Sequence, residues 1–571
     1  MSRSNDEVEK LLLEFADLLA IVAEDPFKPR AYEKAARAVG GYPDDLRSLE
    51  DVRTIPGVGK SIAEKIHAYL ETGTFPELED LRAQVPTGVR DMTAIPGFGP
   101  KKAMTVYREL GIGTVEQLVA AAQEGGLTGL KGFSGKTAES ILKGAERMQR
   151  DQGRVLVSDA LAVAEAMLER LRSIPGVKKA DYAGSLRRMR ETIGDVDLLV
   201  ASEDADPVMD AFTGSGSVER ILARGETKSS VLTRAGLQVD LRVVPRAAWG
   251  AAMIYFTGSK AHNIRIRELA VRAGLKLNEY GLFDAASGEL LAAETEHQVY
   301  ERLGMSYVEP TLREDRGEVE AALSNELPKV LTLEQIRGDL HTHTNLTDGL
   351  APLARMLEAA AAKGYAYYAV TDHAPNLFMQ RMTDQKMLRQ RRELRQLQTR
   401  FPKMTLLHGT ELNIDPEGDV DWDEAFLAGF DITVASVHSH FTQSREEMTR
   451  RLVRAMENPR VNVIGHMTTR KIGRRDAVDV DLDVVFAAAA RTGTALEINS
   501  YPDRLDLRDE HVLWARRHGA CFAVDTDSHA IGHLDVMRYG VATAQRGWLT
   551  SDDVINAWPL AKLRRFLQKK R

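Results

Sequence analysis

Two aspartates, Asp195 and Asp197, open the apolar run 195–200. Residues i and i+2 of a β-strand point to the same side, so a strand here would direct both carboxylates at one place. Two neighbouring carboxylates repel each other, and the pKa of at least one would rise. Divalent cations such as Mg²⁺ prefer oxygen ligands and would relieve this repulsion. The pair predicts a metal site, and the alternative is an ordinary strand with a surface acid.

A third acid, Asp240, lies in the apolar run 239–244. Carboxylates on neighbouring strands can hold two metal ions about 3.5–4 Å apart, an arrangement used for in-line phosphoryl transfer. Upstream, Gly184 and Ser185 offer a free backbone and a hydroxyl, and Arg188 offers a guanidinium that suits phosphate. Together these residues predict a triphosphate site beside a two-metal centre.

A second set of candidate ligands follows residue 340, where 11 of the 14 histidines occur. Histidines and acids recur at the ends of apolar runs, with helical stretches such as 352–363 and 482–492 between them. Alternating strands and helices imply parallel βα units. Ligands at the carboxyl ends of such strands predict a barrel with a site at its upper face. Mixed histidine and carboxylate ligands favour Mn²⁺, Zn²⁺ or Fe²⁺ over Mg²⁺.

The elements that must position these residues include three related segments near the N-terminus, 55–66, 95–103 and a looser copy at 130–138. Each combines an apolar residue, a turn with two glycines and a helix start. Backbone amides at such a helix start can bind a phosphate without a basic side chain. The segments resemble helix-hairpin-helix elements, which grip DNA backbones without reading sequence. The alternative is a set of tight helix turns. The predicted DNA-contacting glycines are Gly57, Gly59, Gly97 and Gly99.

Composition limits the class of protein. A chain of 571 residues with 43% hydrophobic content is typical of a soluble protein with roughly three to five domains. We expect no membrane-spanning segment and no signal peptide. The single cysteine, Cys521, indicates a reducing cytoplasm. The net charge of −7 argues against nucleic acid, but metals and backbone amides can bind phosphates in place of basic side chains.

The pattern Gly-Ser-x-x-Arg, six residues, then Asp-x-Asp at 184–197 resembles the nucleotidyltransferase superfamily. With Asp240 and the segment 255–263, the resemblance narrows to the family X DNA polymerases of the gap-filling repair type. It implies a monomeric enzyme that adds dNTPs to gapped or primer–template DNA with two Mg²⁺ or Mn²⁺ ions. Asp195 and Asp197 would then bridge both ions, and Asp240 would help activate the 3′-hydroxyl.

The same resemblance implies further contacts. Arg267 would sense the template, and core packing is the alternative role for Tyr255 and Phe256. Lys65 would form a Schiff base with a 5′-deoxyribose phosphate, and the alternative is a solvated helix lysine. The implied nucleotide-binding residues are Gly184, Ser185, Arg188, Gly194, Tyr255, Phe256, Gly258, Lys260 and Asn263.

Residues 338–571 resemble the PHP (polymerase and histidinol phosphatase) domain. The resemblance implies up to three Mn²⁺, Zn²⁺ or Fe ions, and a 3′–5′ exonuclease. A phosphomonoesterase and a metal-folded structural module are the alternatives. One ion would be held by His341, His343, Glu411 and Asp527, a second by Glu411, His438 and His466, and a third by Asp348, His373 and His529. His440, His408 and His533 are assigned no role.

The expected fold is a multidomain chain with N-terminal helical helix-hairpin-helix domains, an α+β nucleotidyltransferase palm with a thumb, and a C-terminal distorted (β/α) barrel of PHP type. The expected domains are a lyase-like helical domain at 1–78, a fingers-type helical domain at 79–153, the palm at 154–256, the thumb at 257–318, a linker at 319–337 and the PHP domain at 338–571.

Overall fold

The computed structural model describes residues 4–568, except 23–26, 41, 43–44, 94, 96–97, 128–129, 131–132, 134–140, 143, 145–152 and 378–381. The chain divides into two compact units. The first consists of Gly153–Thr332 and Val541–Thr550. The second consists of Ser2–Gln152, Leu333–Gly540 and Ser551–Arg571.

The N-terminal part of the second unit is helical, as predicted. Its helices are Ser4–Val22, Phe27–Gly40, Lys60–Thr72, Pro76–Gln84, Thr87–Thr93, Pro100–Leu110 and Val115–Gln123. Gly59 and Gly99 are the N-cap residues of two of these helices, and Gly57 has a φ of 87° that a side chain would strain. The first two glycine turns therefore precede helices as the sequence predicts. Gly97 and most of the third copy lie outside the described residues.

The first unit contains a five-stranded sheet and a separate two-stranded pair. The strands of both are β1 (Val155–Leu156), β2 (Lys179–Tyr182), β3 (Thr192–Ile193), β4 (Asp195–Ala201), β5 (Val218–Arg224), β6 (Lys228–Thr233) and β7 (Gln238–Val244). The sheet order is β2-β4-β7-β6-β5, and β1 pairs separately with β3. Strands β4 and β7 are parallel neighbours, although β5 and β6 separate them in sequence. This crossover brings the two predicted acidic strands together. The helices of this part are Val157–Arg172, Gly184–Arg187 and Asp206–Thr213.

A second layer of the first unit packs around a small sheet, β8 (Leu275–Asn278), β9 (Gly281–Asp284) and β10 (Leu290–Ala292). Its helices are Trp249–Thr257, Lys260–Arg272, Glu296–Arg302 and Glu318–Leu323. Val319 and Ala322 of the last helix are buried in the same core as Tyr300. The beginning of the predicted linker is therefore packed structure, because its two apolar residues lie one helical turn apart and face that core.

The C-terminal barrel has seven parallel strands in sequence order, β11 (Gly338–Asp339), β12 (Tyr367–Val370), β13 (Thr405–Asn413), β14 (Ile432–Ser436), β15 (Val463–Ile464), β16 (Ala495–Asn499) and β17 (Phe522–Asp525). A parallel bridge between Thr342 and Ser528 joins the two ends of the sheet. The predicted parallel barrel is confirmed. Its helices are Leu353–Ala362, Asp384–Leu397, Glu424–Leu427, Arg445–Glu457, Leu482–Thr492, Asp509–Arg517, Met537–Arg546 and Leu560–Leu567.

Within the described part of the chain, the helices are too short or too polar to cross a bilayer.

Candidate active sites

The structure brings the three predicted acids of the first unit together. Asp197 lies opposite Asp240 in the parallel pairing of β4 with β7, and Asp195 is two residues before Asp197 on the same strand. Burial raises the pKa of Asp197 to about 7, and the charges of Asp195 and Asp240 add to this effect. The donor set is hard and anionic, so it fits divalent cations, which would remove the electrostatic penalty.

This pKa predicts a pH-dependent stability of the metal-free protein. As the pH rises above the ordinary value of 3.8, the unfolded chain releases the proton of Asp197 first, so the folded state loses stability until about pH 7. In EDTA at pH 8 we expect the free energy of unfolding of Asp197→Asn to exceed that of the wild type by on the order of 2–4 kcal/mol, so the variant should unfold at a higher temperature. At pH 5 this difference in the free energy of unfolding should be less than half of its value at pH 8.

Differential scanning fluorimetry across this pH range measures the effect. Excess Mg²⁺ should narrow the difference at pH 8, because only the wild type keeps the full ligand set. An asparagine variant no more stable than the wild type at pH 8 would mean that the three carboxylates do not interact strongly.

Gly184 has no room for a side chain. Its φ is 63°, and a Cβ atom would lie 2.1 Å from Oδ2 of Asp197. The turn that starts the helix Gly184–Arg187 therefore lies directly against the candidate metal ligand. Ser185 follows in this turn and is half-buried. This places the predicted triphosphate-binding backbone beside the carboxylates.

Arg188 is held by partners that the sequence analysis missed. Its Nε donates to Oε1 of Glu314 at 3.0 Å, and its Nη1 donates to the carbonyl oxygen of Thr257. Nη1 of Arg546 donates to the same Glu314 oxygen at 2.9 Å and to the Arg188 carbonyl at 2.7 Å. Glu314 therefore orients the arginine predicted to bind phosphate. Separations of 126 and 232 residues leave no local signal for these contacts.

The residues predicted to select the nucleotide cluster at the end of the helix Trp249–Thr257. Tyr255 is 39% exposed and meets Phe256 edge to face at 5.0 Å between ring centres. Nδ2 of Asn263 donates to the Tyr255 carbonyl at 2.7 Å, and Nε of Arg267 donates to the Asn263 carbonyl at 3.2 Å. Core packing alone does not explain so exposed a tyrosine.

Three glycine and lysine positions complete the predicted nucleotide set. Gly258 has a φ of 68°, and a Cβ atom there would lie 3.2 Å from Nη1 of Arg188. Lys260 is exposed at the start of the helix Lys260–Arg272. Gly194 lies just before β4, where a Cβ atom would approach Nη1 of Arg154 to 3.1 Å. The structure thus places Gly258 beside Arg188, whereas Gly194 contacts a different arginine.

In the second unit, all nine predicted ligands meet at the carboxyl ends of the barrel strands. The clusters that could hold an ion include His343, Asp348, His373 and His529 in one group and His341, His343 and Asp527 in another. A third contains His373, Glu411 and His438. The closure of the barrel makes this possible, since it sets the residues after β11 beside those after β17.

Glu411 occupies the centre of the group. Its Oε1 lies 3.1 Å from Nε2 of both His438 and His466. Its Oε2 lies 3.4 Å from Nε2 of His341 and 3.5 Å from Nε2 of His343. Oε2 also lies 3.0 Å from Nδ1 of His373. Each carboxylate oxygen therefore faces a different set of histidines, which is the geometry of a bridging ligand.

The ionisation states suit metal binding. Burial alone would raise the pKa of Glu411, but the neighbouring His373, His438 and His341 hold it well below its usual value. Burial, with the charge of Arg504, lowers the pKa of His466 to about 3. A carboxylate and a neutral imidazole are the forms that bind metal ions.

Several buried atoms of the cluster lack hydrogen-bond partners among the described residues. They are Nε2 of His341, both ring nitrogens of His343, Oδ1 of Asp348, Nδ1 of His373 and Nδ1 of His466. A buried polar atom without a partner is costly, so the arrangement fits metal ions that would satisfy these atoms. Chelation should therefore destabilise this unit.

Supporting side chains that the sequence analysis missed orient the ligands. Nδ1 of His341 lies 2.6 Å from Oε1 of Glu497, and Nδ1 of His438 lies 2.8 Å from Oδ1 of Asn413. Such contacts fix the imidazole so that Nε2 points at the metal. Glu497 is a lone acid in the apolar strand β16, a pattern like that of Asp240, and this signal was available in the sequence.

The histidines without an assigned role lie outside the cluster. His440 is exposed, and its Nδ1 lies 3.0 Å from Oγ of the adjacent Ser439. His408 stacks on Phe430 with 5.1 Å between ring centres. Nδ1 of His533 accepts a hydrogen bond from the backbone N–H of His529 at 3.3 Å. These contacts agree with the prediction that the three are not ligands.

Lys65 lies in a partly apolar pocket of the helical region. It is 9% exposed, and its Nζ lies 5.9 and 5.7 Å from the ring centres of Phe15 and Phe75. Its Nζ also forms an ion pair with Oε1 of Glu77 at 2.6 Å. The alternative of a solvated helix lysine is therefore wrong.

Comparisons with known proteins agree with this architecture. Four sequence families match: a helix-hairpin-helix domain at 3–75, a SAM-like helix-hairpin-helix tandem at 89–147, the DNA polymerase beta thumb at 252–314 and the PHP domain at 339–501. The chain is 34% identical over 566 residues to the DNA polymerase/3′-5′ exonuclease PolX of Bacillus subtilis (strain 168), covering 99% of each chain.

Two partial relatives match different parts. DNA polymerase lambda of Rattus norvegicus is 27% identical over 321 residues, which cover 51% of this chain and 53% of that protein. A probable phosphatase of Thermoanaerobacter sp. (strain X514) is 26% identical over 245 residues, covering 41% of this chain and 95% of its own length. By its full-length similarity, the chain belongs to the bacterial family X DNA polymerases that carry a C-terminal PHP domain.

Proposed function

We propose that the first unit adds nucleotides to the 3′ end of a primer and fills short gaps during DNA repair. The pairing of Asp197 with Asp240 on adjacent strands carries this proposal, since it creates an acidic centre beside the Gly184 turn. Two Mg²⁺ or Mn²⁺ ions, when bound, would lower the pKa of the 3′-hydroxyl and neutralise charge on the triphosphate.

The residues of the chain supply position and charge. Asp195 and Asp197 would hold both ions, and Asp240 would hold the ion nearest the 3′-hydroxyl. Arg188, oriented by Glu314, would contact the triphosphate with Ser185. Tyr255 and Phe256 would limit space at the sugar.

We propose that the PHP barrel removes nucleotides from a 3′ end. Up to three Mn²⁺, Zn²⁺ or Fe ions, when bound, would activate water and polarise the phosphate. Glu411 would be shared by two of these ions, and Asp348, His373 and His529 would hold the third. Arg504 supports this role, because it is half-buried near Asp527 and its Nη1 lacks a hydrogen-bond partner among the described residues. It would bind the scissile phosphate.

A phosphomonoesterase activity of the same barrel is the second candidate. It is favoured by the partial relative named as a probable phosphatase, nearly all of whose length matches this chain. Hydrolysis of a terminal phosphate and hydrolysis of an internal phosphodiester would both depend on the same metal ions. Hydrolysis of a small phosphate ester without degradation of an oligonucleotide would support this candidate.

We further propose that Lys65 gives the chain a 5′-deoxyribose phosphate lyase activity and that the chain acts as a monomer on DNA in the cytoplasm. Its domains would follow the boundaries given above, except that residues 319–323 pack with the thumb. The apolar wall of Phe15 and Phe75 around the Lys65 amine supports the first of these. Glu77 would hold the Lys65 amine in the ion pair until a substrate phosphate displaces it.

One substrate tests the gap-filling and lyase proposals together, a duplex with a one-nucleotide gap and a 5′-deoxyribose phosphate. We expect the wild type to fill the gap and to be trapped on the sugar by borohydride. Lys65→Ala should lose the adduct but still fill the gap, because the acidic centre is unchanged. Glu77→Gln should form the trapped adduct faster, since the Lys65 amine is no longer held by the carboxylate.

Lys60→Ala is the matched control, because Lys60 is an exposed lysine at the start of the same helix. It should behave as the wild type in both assays. Equal trapping by Lys65→Ala would assign the lyase to another amine. Failure to extend the primer on this duplex would contradict gap filling.

A further inference from the structure

The helix Asp384–Leu397 of the barrel carries an excess of positive charge on its solvent side. Its buried side consists of Met387, Gln390 and Leu394. Arg389, Arg392 and Arg395 are all exposed and follow one another at i, i+3 spacing. Side chains at this spacing are neighbours on a helix surface, and the three cover about 9 Å along the axis. We call these three residues the arginine stripe.

The arginine stripe is not neutralised within the described residues, where its three side chains form neither ion pairs nor hydrogen bonds. The helix Arg445–Glu457 of the same unit differs. There Arg445 pairs with Asp481 at 3.1 Å and Arg454 pairs with Asp419 at 2.8 Å. Like charges at i, i+3 repel, so the arginine stripe is destabilising for its own helix without a counter-charge.

The orientation of this helix ties the stripe to the metal cluster. Oε1 of Gln398, just past the C-terminal end, accepts the backbone N–H of Leu406 near the start of β13. Nε2 of Gln390, nearer the N-terminal end, donates to Asp372, which precedes the ligand His373. The helix therefore runs antiparallel to the strands. Arg389 lies at the level of the ligands, and Arg395 lies one to two turns away from them.

Asp372 links the helix to the ligand loop as well. It accepts hydrogen bonds from the backbone N–H of Thr344 and from the hydroxyl of Thr347 at 2.8 and 2.6 Å. These two residues lie between the ligands His343 and Asp348. A displacement of the helix would therefore also shift the short loop 344–347, which has a predicted metal ligand at each end.

We propose that the arginine stripe binds the backbone of the single DNA strand whose 3′ end enters the PHP site. This inference rests on the proposed exonuclease. The length of the stripe matches about two or three successive phosphates at the 3.4 Å spacing of one duplex strand. The evenly spaced, unneutralised charge is complementary to a polyanion, and the stripe begins at the level of the metal cluster along the strands. Arg389 would contact the phosphate closest to the cleaved bond.

The test replaces the stripe by Arg389→Gln, Arg392→Gln and Arg395→Gln together, because glutamine keeps helix propensity and removes charge. The full-length holoenzyme would degrade labelled single-stranded 20-mers between 50 and 300 mM KCl. We expect KM to rise about tenfold at 100 mM salt, with kcat within about threefold of wild type. The plot of log KM against log salt should become shallower by about 2, at about 0.7 per lost phosphate contact.

The control triple replaces Arg445, Arg450 and Arg454 by glutamine, which removes the same charge from the helix that is ion-paired. Its KM and salt slope should match the wild type. Replacing the same residues by lysine instead (Arg389→Lys, Arg392→Lys and Arg395→Lys together) should restore most of the slope of log KM against log salt. Hydrolysis of bis(p-nitrophenyl) phosphate, which is too small to reach the stripe, should be unchanged in every variant.

The outcomes separate the two proposals. A wild type that cleaves the small diester but not the 20-mer overturns the exonuclease, whatever the stripe does. A 20-mer KM that is unchanged in the stripe variant, or raised equally in the control, overturns the stripe. Loss of small-diester hydrolysis in the glutamine triple, not rescued by lysine, would make the stripe a structural support of the ligand loop and overturn the strand-binding role. An equal loss of primer extension would assign the stripe to the polymerase substrate instead.

Discussion

Replacing Asp197 by alanine should abolish nucleotide addition while 3′–5′ degradation continues. Asp197 lies opposite Asp240 on adjacent strands and is the most perturbed of the three acids, with a pKa raised to about 7. Its loss would remove a ligand common to both ions. We expect primer extension with Mg²⁺ or Mn²⁺ to fall by at least about a thousandfold, about 4 kcal/mol in the barrier. Asp195→Ala should act in the same direction.

The measurement uses one labelled primer–template, on which extension and degradation appear in the same gel. The matched control is Asp181→Ala, an acid on the edge strand β2 of the same sheet. It should extend normally. Extension by Asp197→Ala at the wild-type rate would show that the acidic centre of this sheet does not perform the reaction.

Replacing Glu411 by alanine should abolish 3′–5′ degradation while extension continues. Each oxygen of this carboxylate faces a different set of histidines, so its loss would disturb two ions at once. His438→Ala should have a similar effect, because its Nε2 faces Glu411 and its Nδ1 is held by Asn413. We expect degradation to fall by at least about a hundredfold in both variants, since bound metal supplies the nucleophile.

His440→Ala provides the control within the same loop, because His440 is only two residues from His438 but is exposed and outside the cluster. Metal content, measured by mass spectrometry on the purified proteins, should fall for the first two variants and not for His440→Ala. Loss of metal and degradation in His440→Ala with retention of both in His438→Ala would reverse the assignment. Unchanged degradation in all three would place the nuclease elsewhere.

Removal of Glu497 should be milder than removal of a ligand, because this residue acts through His341. The Nδ1 contact of 2.6 Å determines which ring nitrogen of His341 faces the cluster. An acid with this role is a positioning residue, and its loss weakens metal affinity more than it alters the reaction.

The candidate catalytic and metal-binding residues could be proposed from the sequence because their patterns are local. Asp195 and Asp197 differ by two positions at a strand end, as do His341 and His343 in the barrel. The alternation of apolar strands with helices indicated the parallel barrel, because each βα unit has its own hydrophobic period. The assignment of nine barrel ligands to three ions followed from the family resemblance. Eight of the nine lie in groups that could hold an ion, and the ninth, His466, contacts Glu411. These groups divide the residues differently from the predicted ligand sets, so the assignment to individual ions stays a prediction.

The predicted linker shows that composition alone does not distinguish a connector from a short packed helix. Its polar residues suggested a connector, but Val319 and Ala322 are spaced by one helical turn and are buried in a core with Tyr300. Two apolar residues in a polar stretch give little signal until the partner surface is known. The boundaries of the other domains stay predictions.

The candidate ligand types, the strands that carry them and the division into helical, α+β and barrel regions could all be inferred from local sequence patterns. The folded structure was needed to show which histidines face each oxygen of Glu411, that Glu314 holds Arg188, and that Glu77 pairs with Lys65. A strand or helix is recognisable from the periodicity of its own residues, whereas a contact between side chains of two different elements leaves no mark on either local pattern. This holds for Lys65 and Glu77, 12 positions apart, as it does for Arg188 and Glu314, 126 positions apart. Such contacts exist only once crossover and barrel closure have brought the elements together.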